Sequence, residues 1–234
     1  MSQQIILYDI PTREPRRSRM LLNYKGLDYR TIWVEYPDVE PLIKPHLPAN
    51  TVGIPYTVPT IQLPDGEWIM DSHKIAGRLE KLYPQPPLDV AADPHLAEIE
   101  SLADKIVSIV CPDFIFKVAE GLLSEASLPY WHQTREAWFG GQKLHEVATE
   151  KGGAEAYRKA RPLVDHVTKL LVQNHAGPFF QGATLSYADF VWASFLHFFE
   201  RLDEGSLELL VGQDRTSHIA LLEACRPWLR RNDH

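Results

Sequence analysis

Residues 83–95, YPQPPLDVAADPH, place Pro84, Pro86, Pro87 and Pro94 within one short segment. A proline has no amide hydrogen and a φ fixed near −65°, so no continuous helix or central strand can run through such a segment. A boundary between two units is therefore expected here. The expected division is 1–84 for an amino-terminal unit, 85–94 for the linker and 95–234 for a carboxy-terminal unit.

The apolar patterning differs on the two sides. Before the linker, IILYD (5–9) is a short run of strand type, and Met20, Leu21 and Tyr24 follow at helical spacing up to Gly26, a suitable C-terminal stop. Residues 29–35 alternate as a strand does, so the order is that of a βαβ unit. A loop with Pro37, Pro41, Pro45, Pro48 and Pro55 leads to two more β runs, around 58–61 and 68–69, joined by a Pro-Asp-Gly turn. Pro59 falls inside the first of these, where it removes a ladder hydrogen bond and suits an edge strand. The second run stops at Asp71-Ser72, and Ile75, Ala76, Leu79 and Leu82 continue at helical spacing with Ser72 as a candidate N-cap. After the linker the spacing is helical throughout, for example at Leu96, Ile99, Ala103 and Ile106, then Tyr157, Ala160, Val164 and Val167. In LSYADF (185–190), Ser186 and Asp189 have the spacing of a capping box, and Leu185 with Phe190 that of a hydrophobic staple.

Charge and cysteine content exclude several function classes. Lys and Arg total 24 against 31 Asp and Glu, a net charge of −7, where a nucleic-acid binder usually shows an excess of basic residues. The amino terminus MSQQIILYDI lacks a basic n-region and its apolar run is too short for a signal peptide or membrane span, which favours a soluble protein that meets no membrane. The two cysteines, Cys111 and Cys225, form no CxxC pair, and the ten histidines show no HxxxH or HxH spacing, so a cytoplasmic protein without a metal site is expected.

The combination of a βαβ-ββα half, a Val-Pro dipeptide entering the third strand, an acidic residue plus serine ending the fourth, and a helical half with a Ser-x-x-Asp box resembles the cytosolic glutathione transferases. LYDIP (7–11), LNYKGLDY (22–29), WVEYPDVEP (33–41), VPTI (58–61) and DSHKIAGRLEKLYP (71–84) are most similar to the fungal etherase-related members. The resemblance covers nearly the whole chain. It implies a thioredoxin-like α/β domain with a mixed four-stranded sheet, an all-α domain forming the hydrophobic substrate site, glutathione as cosubstrate and a homodimer.

It also implies a set of site residues. A cis bond at Val58-Pro59 would let the backbone of Val58 pair with the cysteinyl part of glutathione as an added strand. Ser72, with its hydroxyl, nearby amides and the helix dipole, would take the γ-glutamyl carboxylate, and Asp71 the matching ammonium. His46, in the loop before the third strand, is a further candidate, for the glycyl carboxylate. Counting back from LNYKG puts the family's catalytic serine on Thr12, whose hydroxyl would donate to the thiolate, with Ser18 the competing hydroxyl. The loop departs from the etherase-related pattern here, with REPRR replacing the usual serine-proline-asparagine-tryptophan segment. Arg13, Arg16 and Arg17 read as a solvated helix face. Residues 111–140 are rich in aromatics, and Phe114, Tyr130, Trp131 and Trp138 mark the region expected to wall an apolar cleft.

The functional expectation is a glutathione transferase acting on a hydrophobic, aromatic electrophile by conjugation or ether cleavage. The alternative is the same scaffold repurposed, either as a non-conjugating biosynthetic isomerase or cyclase or as a ligand-binding protein without thiol chemistry.

Overall fold

The computed structural model describes residues 4–11, 17–174, 176–213 and 215–229. The amino-terminal unit runs β1 (Ile5–Asp9), α1 (Arg17–Tyr24), β2 (Tyr29–Trp33), a 3₁₀ turn (Tyr36–Asp38), α2 (Val39–Ile43), β3 (Thr60–Gln62), β4 (Trp68–Met70) and α3 (Ser72–Leu82). The strands form one mixed sheet in the order β2-β1-β3-β4. β1 pairs parallel with β2 (Leu7 opposite Thr31) and antiparallel with β3 (Leu7 opposite Ile61), and β3 pairs antiparallel with β4 (Ile61 opposite Ile69). β1 is interior, and Leu7 and Tyr8 on its opposite faces are both buried.

Two expectations from the sequence are corrected. β3 is an interior strand, and Pro59 lies one residue ahead of its first ladder pair, Thr60 with Tyr8, so the proline costs no ladder hydrogen bond. The proline-rich stretch after β2 is not all loop. Pro37 and Pro41 fall in the first turns of the 3₁₀ turn and of α2, where amide hydrogens have no intrahelical acceptor to lose. α1 does stop as its sequence suggests: Gly26 takes φ 63°, and the amide of Leu27 closes onto the carbonyl of Leu22 at 3.0 Å.

The carboxy-terminal unit contains α4 (Leu96–Gly121), α5 (Leu128–Trp138), α6 (Leu144–Lys151), α7 (Gly153–Gln173), α8 (Tyr187–Leu202), α9 (Ser206–Val211) and α10 (Thr216–Leu229). α8 is the central helix, with Phe190, Trp192, Leu196 and Phe199 fully buried. It starts at the capping box: the amide of Ser186 donates to Asp189 Oδ2 at 2.7 Å, and the amide of Phe180 to Oδ1 at 2.9 Å. Burial pushes the Asp189 carboxyl up to about 7 despite these donors. His218 of α10 is also fully buried; Trp192 Nε1 donates to its Nδ1 at 2.9 Å, so Nε2 carries the proton and donates to Thr168 Oγ1 at 2.8 Å. Among the described residues no helix is long and apolar enough to cross a membrane.

Polar contacts clamp the two units. Ser124 and Ser127 both donate from their hydroxyls to Glu35 Oε2, and Asn23 Nδ2 donates to the carbonyl of Trp228 at 2.7 Å. At the linker, the ammonium of Lys25 donates to the carbonyls of Tyr83 (2.7 Å) and Pro86 (2.9 Å) and pairs with Glu80 at 2.9 Å, its side chain wholly out of solvent. Inside the sheet unit, Arg19 and Asp9 form a buried pair at 3.4 Å; Arg19 also donates to Thr31 Oγ1 and lies over the ring of Trp33 at 4.8 Å.

Candidate active site

A cleft of about 520 Å³ opens between the sheet unit and the helices α4 and α8. Its two sides differ in chemistry. One is polar and comes from the ends of sheet elements: Arg17 at the start of α1, Thr57 to Pro59 before β3, and Asp71 with Ser72 at the junction of β4 and α3. The other is apolar, with Val107, Phe114 and Val118 from α4 and Val191, Phe195 and Phe198 from α8. The junctions of sheet elements thus supply hydrogen-bonding groups, while helix faces supply a wall of the kind that holds apolar ligands.

At the polar side, Asp71 has φ 86° and ψ 125°, a backbone conformation uncommon for a residue with a side chain. It is the N-cap of α3, with Oδ1 accepting from the amides of His73 (2.8 Å) and Lys74 (3.2 Å). Ser72, the N-cap candidate in the sequence, does not cap the helix. Ser72 is instead the first helical residue, because the aspartate one position earlier has the reach to take two of the free amides of the first turn. Those amides are thereby committed, and the Ser72 hydroxyl becomes the group turned to the cleft.

Ser72 is nearly buried and held from two directions. Its Oγ accepts from Arg17 Nε at 2.6 Å, and its carbonyl accepts from the hydroxyl of Tyr187, the first residue of α8, at 3.0 Å. Arg17 Nη1 pairs with Glu100 of α4 at 2.9 Å, and the other oxygen of Glu100 meets His73 Nδ1 at 3.3 Å. Arg17 is therefore not part of a solvated helix face; it bridges α1, α3 and α4. Burial holds the phenol of Tyr187 above its usual range, so it stays a donor at any working pH.

Of the residues expected from the sequence, Val58, Pro59, Asp71 and Ser72 come together in this cleft, and the Val58-Pro59 bond is cis. His46 is exposed and stacks on Trp68, ring centroids 4.0 Å apart, outside the cleft lining. Ser18 is fully buried within α1 and does not line the cleft. Thr12, Arg13 and Arg16 lie outside the described residues. The aromatic region divides: Phe114 and Trp131 line the cleft, whereas Tyr130 and Trp138 line a neighbouring cavity. The Cys111 thiol is pushed up to about 11 and that of Cys225 higher, both by burial, so neither supplies a thiolate near neutral pH. Sequence reasoning missed Arg17, Glu100 and the reach of Tyr187, whose partners lie 55 to 115 residues away.

Comparison with known proteins places these observations. Residues 15–82 match the N-terminal domain of glutathione S-transferases, and residues 99–214 match their C-terminal domain. The glutathione S-transferase-like protein ustS of Aspergillus flavus is 29% identical over 228 residues, covering 90% of this chain and 82% of that protein. A glutathione S-transferase of Ceriporiopsis subvermispora, solved in complex with glutathione, superposes with a TM-score of 0.84 at 28% identity, over 96% of this chain and 97% of the other. A second transferase of that fungus, also solved with glutathione, is 30% identical with a TM-score of 0.71, over 97% and 99% of the two chains.

Proposed function

The chain belongs to the glutathione S-transferase superfamily, and from that premise we propose that the cleft binds glutathione as cosubstrate and presents its thiol to a hydrophobic, aromatic electrophile. The observation that carries this reading is the division of the cleft into a polar edge at Arg17, Thr57 to Pro59, Asp71 and Ser72 and an apolar wall from α4 and α8. A peptide with charged ends suits the first and an aromatic partner suits the second.

Because Ser72 Oγ accepts from Arg17, the serine proton is left to donate to the γ-glutamyl carboxylate, and the guanidinium adds positive potential behind it. Asp71 spends one oxygen on the helix cap, and its other oxygen faces the γ-glutamyl ammonium. The backbone of Val58 pairs with the cysteinyl residue in the manner of an added strand. The cysteinyl thiol, with a reference pKa of about 8.5, then needs a hydrogen-bond donor to hold it as thiolate, and Thr12 ahead of α1 is that donor. The thiolate sulfur forms the new bond to carbon while the displaced group, an ether oxygen in the cleavage case, leaves with its electron pair. Holding both reactants in one cleft supplies the remaining acceleration. Cytoplasmic residence and a homodimer complete the proposal.

Calorimetric titration with glutathione tests the reading, repeated on Ser72→Ala. Saturation that weakens in the variant is expected, together with a product that carries the glutathionyl group in place of the displaced one and loss of turnover in Thr12→Ala. Absence of saturation at millimolar glutathione overturns it. A product of unchanged mass moves the assignment to isomerisation.

A further inference from the structure

A second cavity, of about 340 Å³, lies on the other side of Tyr36, between the 3₁₀ turn, the segment before β3 and α5. Its walls are aromatic: the rings of Tyr36 and Tyr130 stack at 6.4 Å and 16°, and Trp138 is 56% exposed beside them. Arg135, only 7% exposed, lines it. The guanidinium lies 4.4 Å from the ring centroid of Trp131, 4.5 Å from that of Trp138 and 5.4 Å from that of Tyr36.

This cation lacks the partner that buried cations normally have. Among the described residues no carboxylate forms an ion pair with Arg135. Its Nη1 donates to the neighbouring Thr134 hydroxyl at 2.8 Å, and its Nε is buried with no acceptor. Ring faces attract a guanidinium, but they do not satisfy N–H donors lying in its plane. Desolvation accordingly holds its pKa below the usual arginine range. The acidic side chain on the lining, Glu40, is exposed and already tied to Lys44 at 2.9 Å. A charged fork left short of acceptors, in an aromatic cavity with one exposed indole, matches a planar anion with an aromatic body.

We propose that this cavity is an acid subsite that takes the carboxylate of a planar aromatic ligand, with Arg135 as its counter-ion and Tyr130 and Trp138 against the ring. Tyr36, Thr57 and Val58 line both this cavity and the cleft, so a ligand anchored on Arg135 extends toward the cleft. Arg135 then determines specificity by selecting electrophiles that bear an acid group. That last step rests on the glutathione reading of the cleft, whereas the subsite itself does not.

The test is binding of 2-naphthoate and of its neutral isostere 2-naphthamide to the full chain without glutathione, followed by tryptophan fluorescence. In the unaltered protein the acid binds at least about tenfold tighter than the amide, the margin expected of a desolvated charge pair. Arg135→Met abolishes that preference, Arg135→Lys keeps part of it, and Trp138→Ala weakens acid and amide alike. Equal affinities for acid and amide in the unaltered protein overturn the proposal without recourse to any variant. An acid preference that survives in Arg135→Met also overturns it. Because glutathione is left out, failure of this experiment is separate from failure of the glutathione titration.

Discussion

The hydroxyl of Tyr187 donates to the carbonyl of Ser72 across 3.0 Å, so the first residue of α8 fixes the first residue of α3 from the other unit. Tyr187→Phe removes one buried hydrogen bond between the units and leaves the Ser72 carbonyl with its intrahelical donor alone. A loss of about 1 kcal/mol in denaturant unfolding is expected. Glutathione affinity measured by calorimetry should fall with it, because the Ser72 hydroxyl loses its support.

Asp71 and Ser72 separate capping from binding. Asp71→Ala loses two accepted amides and puts alanine at φ 86°, so it should cost about 1–2 kcal/mol of stability. Asp71→Asn keeps an oxygen for the cap and tolerates that backbone, so it should fold with nearly unchanged stability yet bind glutathione less tightly. Ser72→Ala removes the acceptor of Arg17 Nε, so it should cost about 1 kcal/mol of stability and also weaken binding. Thermal unfolding alongside calorimetry distinguishes the three.

Burial, with the charge of Arg161 behind it, holds the imidazole of His218 down to about 4, where Nδ1 is free to accept the Trp192 N–H. Between pH 4 and the unfolded value near 6.5, the unfolded chain binds a proton that the folded chain refuses, so this residue makes stability rise with pH. Asp189, pushed up to about 7, acts in the opposite sense, because its folded form binds a proton that the unfolded form has released. The stability difference between the unaltered protein and His218→Gln should therefore increase by up to about 3 kcal/mol from pH 4 to 6.5, read from urea midpoints. A flat difference would mean that the ring accepts the proton without loss of the fold.

Asp9 balances Arg19 where neither side chain meets solvent. Asp9→Ala leaves a guanidinium inside the sheet unit without its carboxylate and should cost about 3–5 kcal/mol. The double variant Asp9→Ala/Arg19→Met should be more stable than Asp9→Ala alone, as chemical denaturation can establish. The single variant proving the more stable would mean that solvent reaches Arg19.

The fold was legible where a pattern is local. IILYD, the Gly26 stop and the Ser186 and Asp189 box depend on neighbours within a few residues, and each element formed where its residues indicated. Pro37 and Pro41 misled because a proline excludes a helix interior but not its first turn. At the site, the dipeptides Val58-Pro59 and Asp71-Ser72 were visible as motifs. Arg17 was not, because its role depends on Ser72 and Glu100, which only the packing of α1 against α3 and α4 brings within reach. Arg135 was hidden in the same way. Its spacing from Trp131 and Trp138 could be read on α5, but the absence of a carboxylate beside it is a property of the folded surroundings.

The ammonium of Lys25, held by the carbonyls of Tyr83 and Pro86 and by Glu80, makes the start of the linker a chemically addressable point. An amine-selective acylating reagent can reach that nitrogen only when the linker lifts away from α1. The rate at which Lys25 is labelled, set against the exposed Lys44 in the same chain, thus becomes a clock for release of the linker from the amino-terminal unit, one that runs without denaturant.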